Sequence, residues 1–373
     1  MSATKNTKNI THVAGTFLVE ASASFLNGAG LGEGENRNVT VPKTFRDGSN
    51  RVPYVSSQAW KRWLRNTLIE ETGWPASELK AIGQSAKQTT SKIGGEFNPV
   101  DFPEDDIFGY MRAEIGQGKR RPETEESENL ESEELEEKGG KKVKPVIRAS
   151  PFCASILCSV RKTGWQGKDE GFVHLKEGTP LPYTTEFYNT HLQGVFCLNY
   201  TRLGVFWNIG DRIELDEAKI QAFLQNQKIK VTQDQGKSGK IYEMTDAQTK
   251  RKERASALLK ALARLRGGAK QATFGTDVSP KVLILAGTTC GNPIFNSLFI
   301  DDGTGPILKV DALKEVARDY SDRIVTPIFV GLRKGYLKNE TDVLQLEKAN
   351  EKGVSFKITT PIDSAEQMAK ALS

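Results

Sequence analysis

The stretch Val55-Ser56-Ser57-Gln58-Ala59-Trp60-Lys61-Arg62-Trp63-Leu64-Arg65 constrains the fold more than any other, because its spacing is that of a helix with a core beneath it. At about 100° per residue, Trp60, Trp63, Leu64 and Leu68 fall on one side and Lys61, Arg62 and Arg65 on the other. Ser56 or Ser57 is placed to cap the first turn, since a hydroxyl there accepts a hydrogen bond from an orphan N–H. The helix therefore offers an apolar stripe to a partner layer, cations outward, and a positive dipole end with free amides. That combination suits a polyanion backbone. It also describes an ordinary surface helix with a solvated basic face.

A chain of 373 residues can bury a large core as one big domain or two. No apolar run approaches the roughly 20 residues of a membrane helix, and the polar Met1–Asn9 start lacks the apolar centre of a signal peptide, so a cytoplasmic location and no membrane partner are expected. Cys153, Cys158, Cys197 and Cys290 form no CxxC pair and lie in apolar contexts, reading as buried free thiols. Three scattered histidines give no zinc pattern, and neither metal nor cofactor is expected. The formal charge of +5 hides an asymmetry: nine glutamates lie between Glu123 and Glu137, and without those nine negatives the rest carries +14. The basic remainder favours an anionic partner such as nucleic acid. The acidic block has almost nothing to bury and reads as a mobile insertion.

Thr16 to Phe25 alternates as a strand with one buried face. A glycine-rich loop from Asn27 to Gly34 follows, expected to be mobile, then a polar arm to Pro53 carrying Lys43, Arg46 and Arg51, then the basic helix. Residues from about 74 to 150 are irregular, with one short amphipathic piece around Asp105–Met111. Strand-like sequence resumes at Phe152 to Val160 and at Gln193 to Trp207, with a protruding hairpin between 164 and 189. A leucine-faced helix over Arg251 to Leu265 is stopped by Gly267-Gly268. Strands over Lys281–Ala286, Val325–Leu332 and Val354–Ile358, with helices over Val310–Tyr320 and Ser364–Leu372, complete the pattern. Without its insertions the order is strand, helix, strand, strand, helix, strand, the split βαβ order of ferredoxin-like or RRM-type α+β domains. Such folds frequently bind single-stranded RNA on a sheet face.

The glycine loop fails the GxGxxG test, because positions 33 and 35 are Glu33 and Glu35, and no GK[ST] occurs. In Gly267-Gly268-Ala269-Lys270-Gln271, a helix stop explains the first glycine, while the second, with Lys270 and Gln271, sets bare backbone and donors where a phosphate can lie. Catalytic motifs are missing: no HExxH, no GxSxG, no triad. His12 is the one candidate general acid/base, against the plainer reading of a structural histidine. Asp105 and Asp106 are expected to cap the helix that follows them rather than bind a metal.

Together these pieces resemble a known family. Arg51-Val52-Pro53-Tyr54-Val55-Ser56-Ser57-Gln58-Ala59-Trp60-Lys61-Arg62-Trp63-Leu64-Arg65 resembles the "RVSSQxxKRxxR" signature of the DevR-like backbone subunits of type I CRISPR Cascade complexes. Thr184-Thr185-Glu186-Phe187, leading to Gly194-Val195-Phe196, resembles the segment joining that family's thumb hairpin to a central strand. Gly267-Gly268-Ala269-Lys270-Gln271 resembles its RNA-contacting loop. The resemblance implies an RRM/ferredoxin-like palm over 10–73 and 190–373, fingers over 74–150 with an acidic, disordered 122–142, and a thumb over 164–190. It implies a non-catalytic subunit that polymerises as a helical filament along guide RNA (crRNA). Bases would be presented in segments to target DNA, alongside other Cascade subunits. The expected RNA-contacting set is Asn27, Lys43, Arg51, Ser56, Ser57, Gln58, Lys61, Arg62, Arg65, Thr184, Thr185, Gly267, Gly268, Ala269, Lys270 and Gln271. The alternatives are a ribonuclease of related fold, with Asp169 as the available thumb-side carboxylate, and a general single-strand binder.

Overall fold

The computed structural model describes residues 9–31, 39–78, 80–84, 90–112, 145–173 and 175–372; the acidic stretch expected to be a mobile insertion lies outside them. The chain is a mixed α+β protein built on one large sheet. Its helices are α1 (Ser57–Thr72), α2 (Pro103–Phe108), α3 (Glu217–Gln225), α4 (Ala247–Ala263), α5 (Gln271–Phe274), α6 (Val310–Asp319), α7 (Glu340–Gln345) and α8 (Pro361–Ala371).

Four strands form the middle of the sheet in the order Val282–Thr288, His12–Ser24, Leu181–Asn199, Leu157–Ser159, each antiparallel to the next. In chain order they are the fourth, first, third and second, with α1 between the first and second and α4 between the third and fourth. The sheet continues on one side through Ile328–Leu332 and Val354–Thr359, and on the other through Asn50–Val55 and Thr44–Asp47.

The central strand His12–Ser24 is where the sequence reading needs correction. Alternation predicted one buried face, yet Val13 to Val19 is an unbroken buried run. Phe17, Val19 and Ala21 pack in a core with α1, α4 and α8, while Ala14 and Leu18 pack in a second core with α6, α7 and the 294–308 segment. With layers on both sides, the small or weakly polar side chains Ala14 and Thr16 are buried as readily as the large ones. The central strand therefore has no open face on which RNA could lie.

Trp60, fully buried, anchors α1 to the first core. Its ring meets Phe17 edge-on at 5.3 Å and Phe152 at 5.7 Å, and its indole N–H donates to the Ser155 carbonyl at 2.7 Å. Small strand residues make room for large rings: a Cβ on Gly194 would lie 2.6 Å from the Phe17 ring.

Several expected boundaries shift. The Gly28–Leu31 part of the glycine loop is a strand paired with Val39–Pro42, not a free loop. The expected Gln193–Trp207 strand is two: Leu181–Asn199 ends at a 3₁₀ turn over Tyr200–Arg202, and Val205–Ile209 joins a separate four-stranded sheet with its own small core against α3. The 74–150 region, expected to be irregular, contains a hairpin (Lys80–Gln84 with Thr90–Gly94), α2, and the strand Tyr110–Arg112 paired with Val146–Arg148. The four cysteines are free, but only Cys197 is fully buried, and Cys153 is exposed.

Asp105 and Asp106 do not cap α2 but lie within its first turn, and its N-cap is Phe102, with no side-chain cap. Asp106 is instead the hub of a buried ion network. It accepts from Arg148, from Arg254 at 2.5 Å and from the Gly204 amide at 2.9 Å, which ties α2 to α4 and to the 202–214 region. A buried pair broken on one side leaves an uncompensated charge. Asp106→Ala should therefore lower unfolding free energy by about 3–5 kcal/mol, read as a reduced midpoint in urea. An unchanged midpoint would remove the network from the account of stability.

Candidate nucleic-acid interface

The first turn of α1 sits where the sequence placed it, with a different cap. Ser56 is the N-cap, extended at φ −62° and ψ 147°, and its carbonyl accepts from Ala59 at 3.0 Å, but neither serine hydroxyl makes the expected capping bond. Instead the Ser56 amide donates to the Asn27 side-chain oxygen at 3.1 Å, and the Asn27 carbonyl accepts from the Lys43 amide at 2.9 Å. Asn27 is thus a strut that fixes the strand arm against the helix start. Among the described residues, the Ser56 and Ser57 hydroxyls and the Ser57 and Gln58 amides have no hydrogen-bond partner at the positive end of a 16-residue helix.

One turn on, Gln58 and Arg62 are exposed and Lys61 half-buried, and among the described residues no carboxylate pairs with either cation. With Phe108 and Gly109 they border a hollow of about 320 Å³ between α1 and α2. Arg65 departs from expectation. Only 15% of its side chain is exposed, and its guanidinium turns under the helix to Glu104 at 2.9 Å and Asp105 at 3.4 Å. Burial raises the Asp105 carboxyl above the usual range, with Glu104 adding to the rise against Arg65 and two hydrogen bonds. Two acids in α2 have claimed the cation that helical periodicity assigned to the surface.

The glycine loop closes on this helix. The helix α4 ends at Ala263, so Gly267 and Gly268 are not its stop. They have φ of +144° and +111°, and a Cβ on Gly267 would sit 2.4 Å from the Trp63 ring, one on Gly268 2.5 Å from Leu26. Glycine is required there by both conformation and contact. The Ala269 amide donates to the Leu26 carbonyl at 2.9 Å. Lys270, itself left-handed at φ +50°, places its ammonium 4.9 Å from the Phe25 ring centroid and 2.8 Å from the Thr185 hydroxyl. Gln271 returns its side-chain amide to the Gly267 carbonyl and serves the loop itself.

The remaining expected contacts divide. Thr184 is half-buried and Thr185 buried, beside the strand Val39–Pro42; Thr185 reaches the surface only through Lys270. Arg51 is neutralised by a two-pronged pair with buried Glu186 (3.0 and 3.3 Å) beside the Trp165 ring. Asp169 lies directly across from Thr185 on the hairpin Gln166–Val173/Leu181–Asn199. His12 is at the far end of the central strand, bonded to Thr11, with burial pushing its pKa down. No group of three metal-ligating side chains exists among the described residues. The structure thus gathers Asn27, Lys43, Ser56, Ser57, Gln58, Lys61, Arg62 and the 267–271 loop at one end of the sheet, and withdraws Arg51, Arg65 and Thr185 into ion pairs or burial.

No family model matches the chain, and no curated protein does. Two solved structures, "CRISPR RNA-guided surveillance complex" and "CRISPR RNA-guided surveillance complex, pre-nicking", each contain a similar chain. The TM-scores are 0.51 and 0.54 at 14% and 13% identity, with 97% of this chain and 100% of each of those covered. The likeness is one of fold.

The two helix cations should behave oppositely. Arg62→Ala should change stability by no more than about 0.5 kcal/mol, whereas Arg65→Ala, which strands Glu104 and Asp105, should cost about 2 kcal/mol or more. Urea titration of the two variants measures this; equal effects would mean that the Arg65 pairs carry nothing. Gly267→Ala should cost about 1–3 kcal/mol from backbone strain alone, visible as a lower thermal midpoint.

Proposed function

We propose that this protein is a non-catalytic backbone subunit of a type I CRISPR Cascade effector, polymerising along guide RNA and holding it by its phosphates. One observation carries the reading. Among the described residues, an uncapped, acid-free helix start with unpaired Lys61 and Arg62 abuts a glycine loop, packed on Trp63, that carries Lys270. Free amides and unpaired cations grip a sugar-phosphate strand whatever its sequence, and base pairing is left to read the letters. The fold shared with chains of CRISPR RNA-guided surveillance complexes supports the same role. The 4-1-3-2 strand order supports an RRM-like palm, here covered on both faces so that the strand is held at the sheet's end. The hairpin through Gln166–Val173, with exposed Phe172 and Leu181, supports a thumb directed at another copy, and a repeated head-to-tail contact of that kind builds a filament.

The test is RNA binding as a function of salt. Lys61→Glu/Arg62→Glu should weaken binding to a repeat-spacer transcript at least tenfold. Its log-log salt slope should be shallower by about 1.4, at roughly 0.7 per single-strand phosphate contact, with circular dichroism unchanged. Wild-type affinity and slope in that variant would refute the interface.

The position of Asp169 opposite Thr185, with Lys270 adjacent, favours the ribonuclease alternative over other enzymatic readings. The backbone reading expects labelled target RNA to survive incubation with protein and magnesium. Cleavage abolished by Asp169→Ala would establish the nuclease instead.

A further inference from the structure

Beside His12 lies a further hollow of about 380 Å³. On its wall two guanidiniums lie over the Trp207 ring, Arg202 at 4.0 Å and Arg212 at 4.2 Å from its centroid. Both reach the fully buried Glu214, at 2.7 and 2.6 Å, and Arg148 reaches the same carboxylate at 3.1 Å. Three cations thus converge on one anion. The next carboxylate in the network, Asp106, is already shared between Arg148 and Arg254. Burial, with the neighbouring guanidiniums of Arg148 and Arg212, holds Arg202 below the usual arginine range despite Glu214. Among the described residues no carboxylate lines the hollow; its other walls include His12, Ser150 and Asn199, with exposed Cys153.

An excess of fixed cations beside a solvent-open hollow with no carboxylate among its described lining residues is an anion site. Arg212, 40% exposed, keeps part of its side chain open to solvent beside the indole, where it can meet a phosphate or a base. The volume leaves room for more than a phosphate alone. We propose that this hollow is a second phosphate site, one that receives a phosphate group of a nucleic-acid strand; Ser150 on its wall packs against Gly109, which borders the hollow beside Lys61 and Arg62.

Cys153 provides the readout. Alkylation of the full-length protein by iodoacetamide, followed at Cys153 by mass spectrometry, should slow at least fivefold with millimolar uridine 5′-monophosphate. Inorganic phosphate should also protect, and uridine should not. In Arg212→Gln, which keeps a side-chain donor for Glu214, the protection should vanish, with the circular dichroism spectrum unchanged. No protection, or equal protection in Arg212→Gln, overturns the site. Protection by inorganic phosphate but not by the nucleotide overturns its assignment to nucleic acid. The Lys61→Glu/Arg62→Glu protein should show full protection, so failure of the guide-RNA reading and failure of this one are separate outcomes.

Discussion

Burial of the central strand on both faces decides where this protein can act. With α1, α4 and α8 on one side and α6 and α7 on the other, the central strand itself leaves no surface for a ligand. Anything long and charged must be held at the ends of the strands, where loops and helix termini supply unsatisfied backbone. The N-terminus of α1 and the 267–271 loop are such groups, and they meet because Gly267 lets Trp63 press against it. The apolar stripe read from the sequence is therefore what assembles the polar site: Trp60 fixes the helix in the core, and Trp63 seats the loop.

The second organising feature is the chain of buried ions through α2. Asp106 and Glu214, both fully buried, gather Arg148, Arg202, Arg212 and Arg254 from separate parts of the chain. Such a network adds less to stability than an apolar core of equal volume, but it tolerates no missing partner. It fixes the region around α2, and with it the wall of the hollow beside Lys61 and Arg62. It also leaves cations in excess at Trp207.

Much of this was legible in the sequence. The periodicity of 55–68 located α1 and its core face correctly, and the unbroken apolar run at Lys281–Ala286 marked a strand buried on both sides. Other features could not be read locally. Alternation from Thr16 to Phe25 described only one of two core layers, because Ala14, Thr16 and Leu18 are short or neutral enough to be buried by a layer formed some 280 residues later. Helical geometry put Arg65 beside Lys61 and Arg62, but Glu104 and Asp105 recruit it from nearly 40 residues away. Arg51 is taken in the same way by Glu186. Charge pairing over long sequence distance separates available cations from structural ones, and a single sequence carries no sign of it. The Asp106 hub was invisible for the same reason, its partners being spread from Arg148 to Arg254.

The path of the bound strand is the decisive observable. Ultraviolet cross-linking of the protein to a guide transcript, with the attached peptides mapped by mass spectrometry, reports that path directly. Cross-links should concentrate in the peptides spanning Ser56–Arg62 and Gly267–Gln271. Cross-links confined to the α6 and α7 side of the sheet, or absent while RNA remains bound, would contradict it.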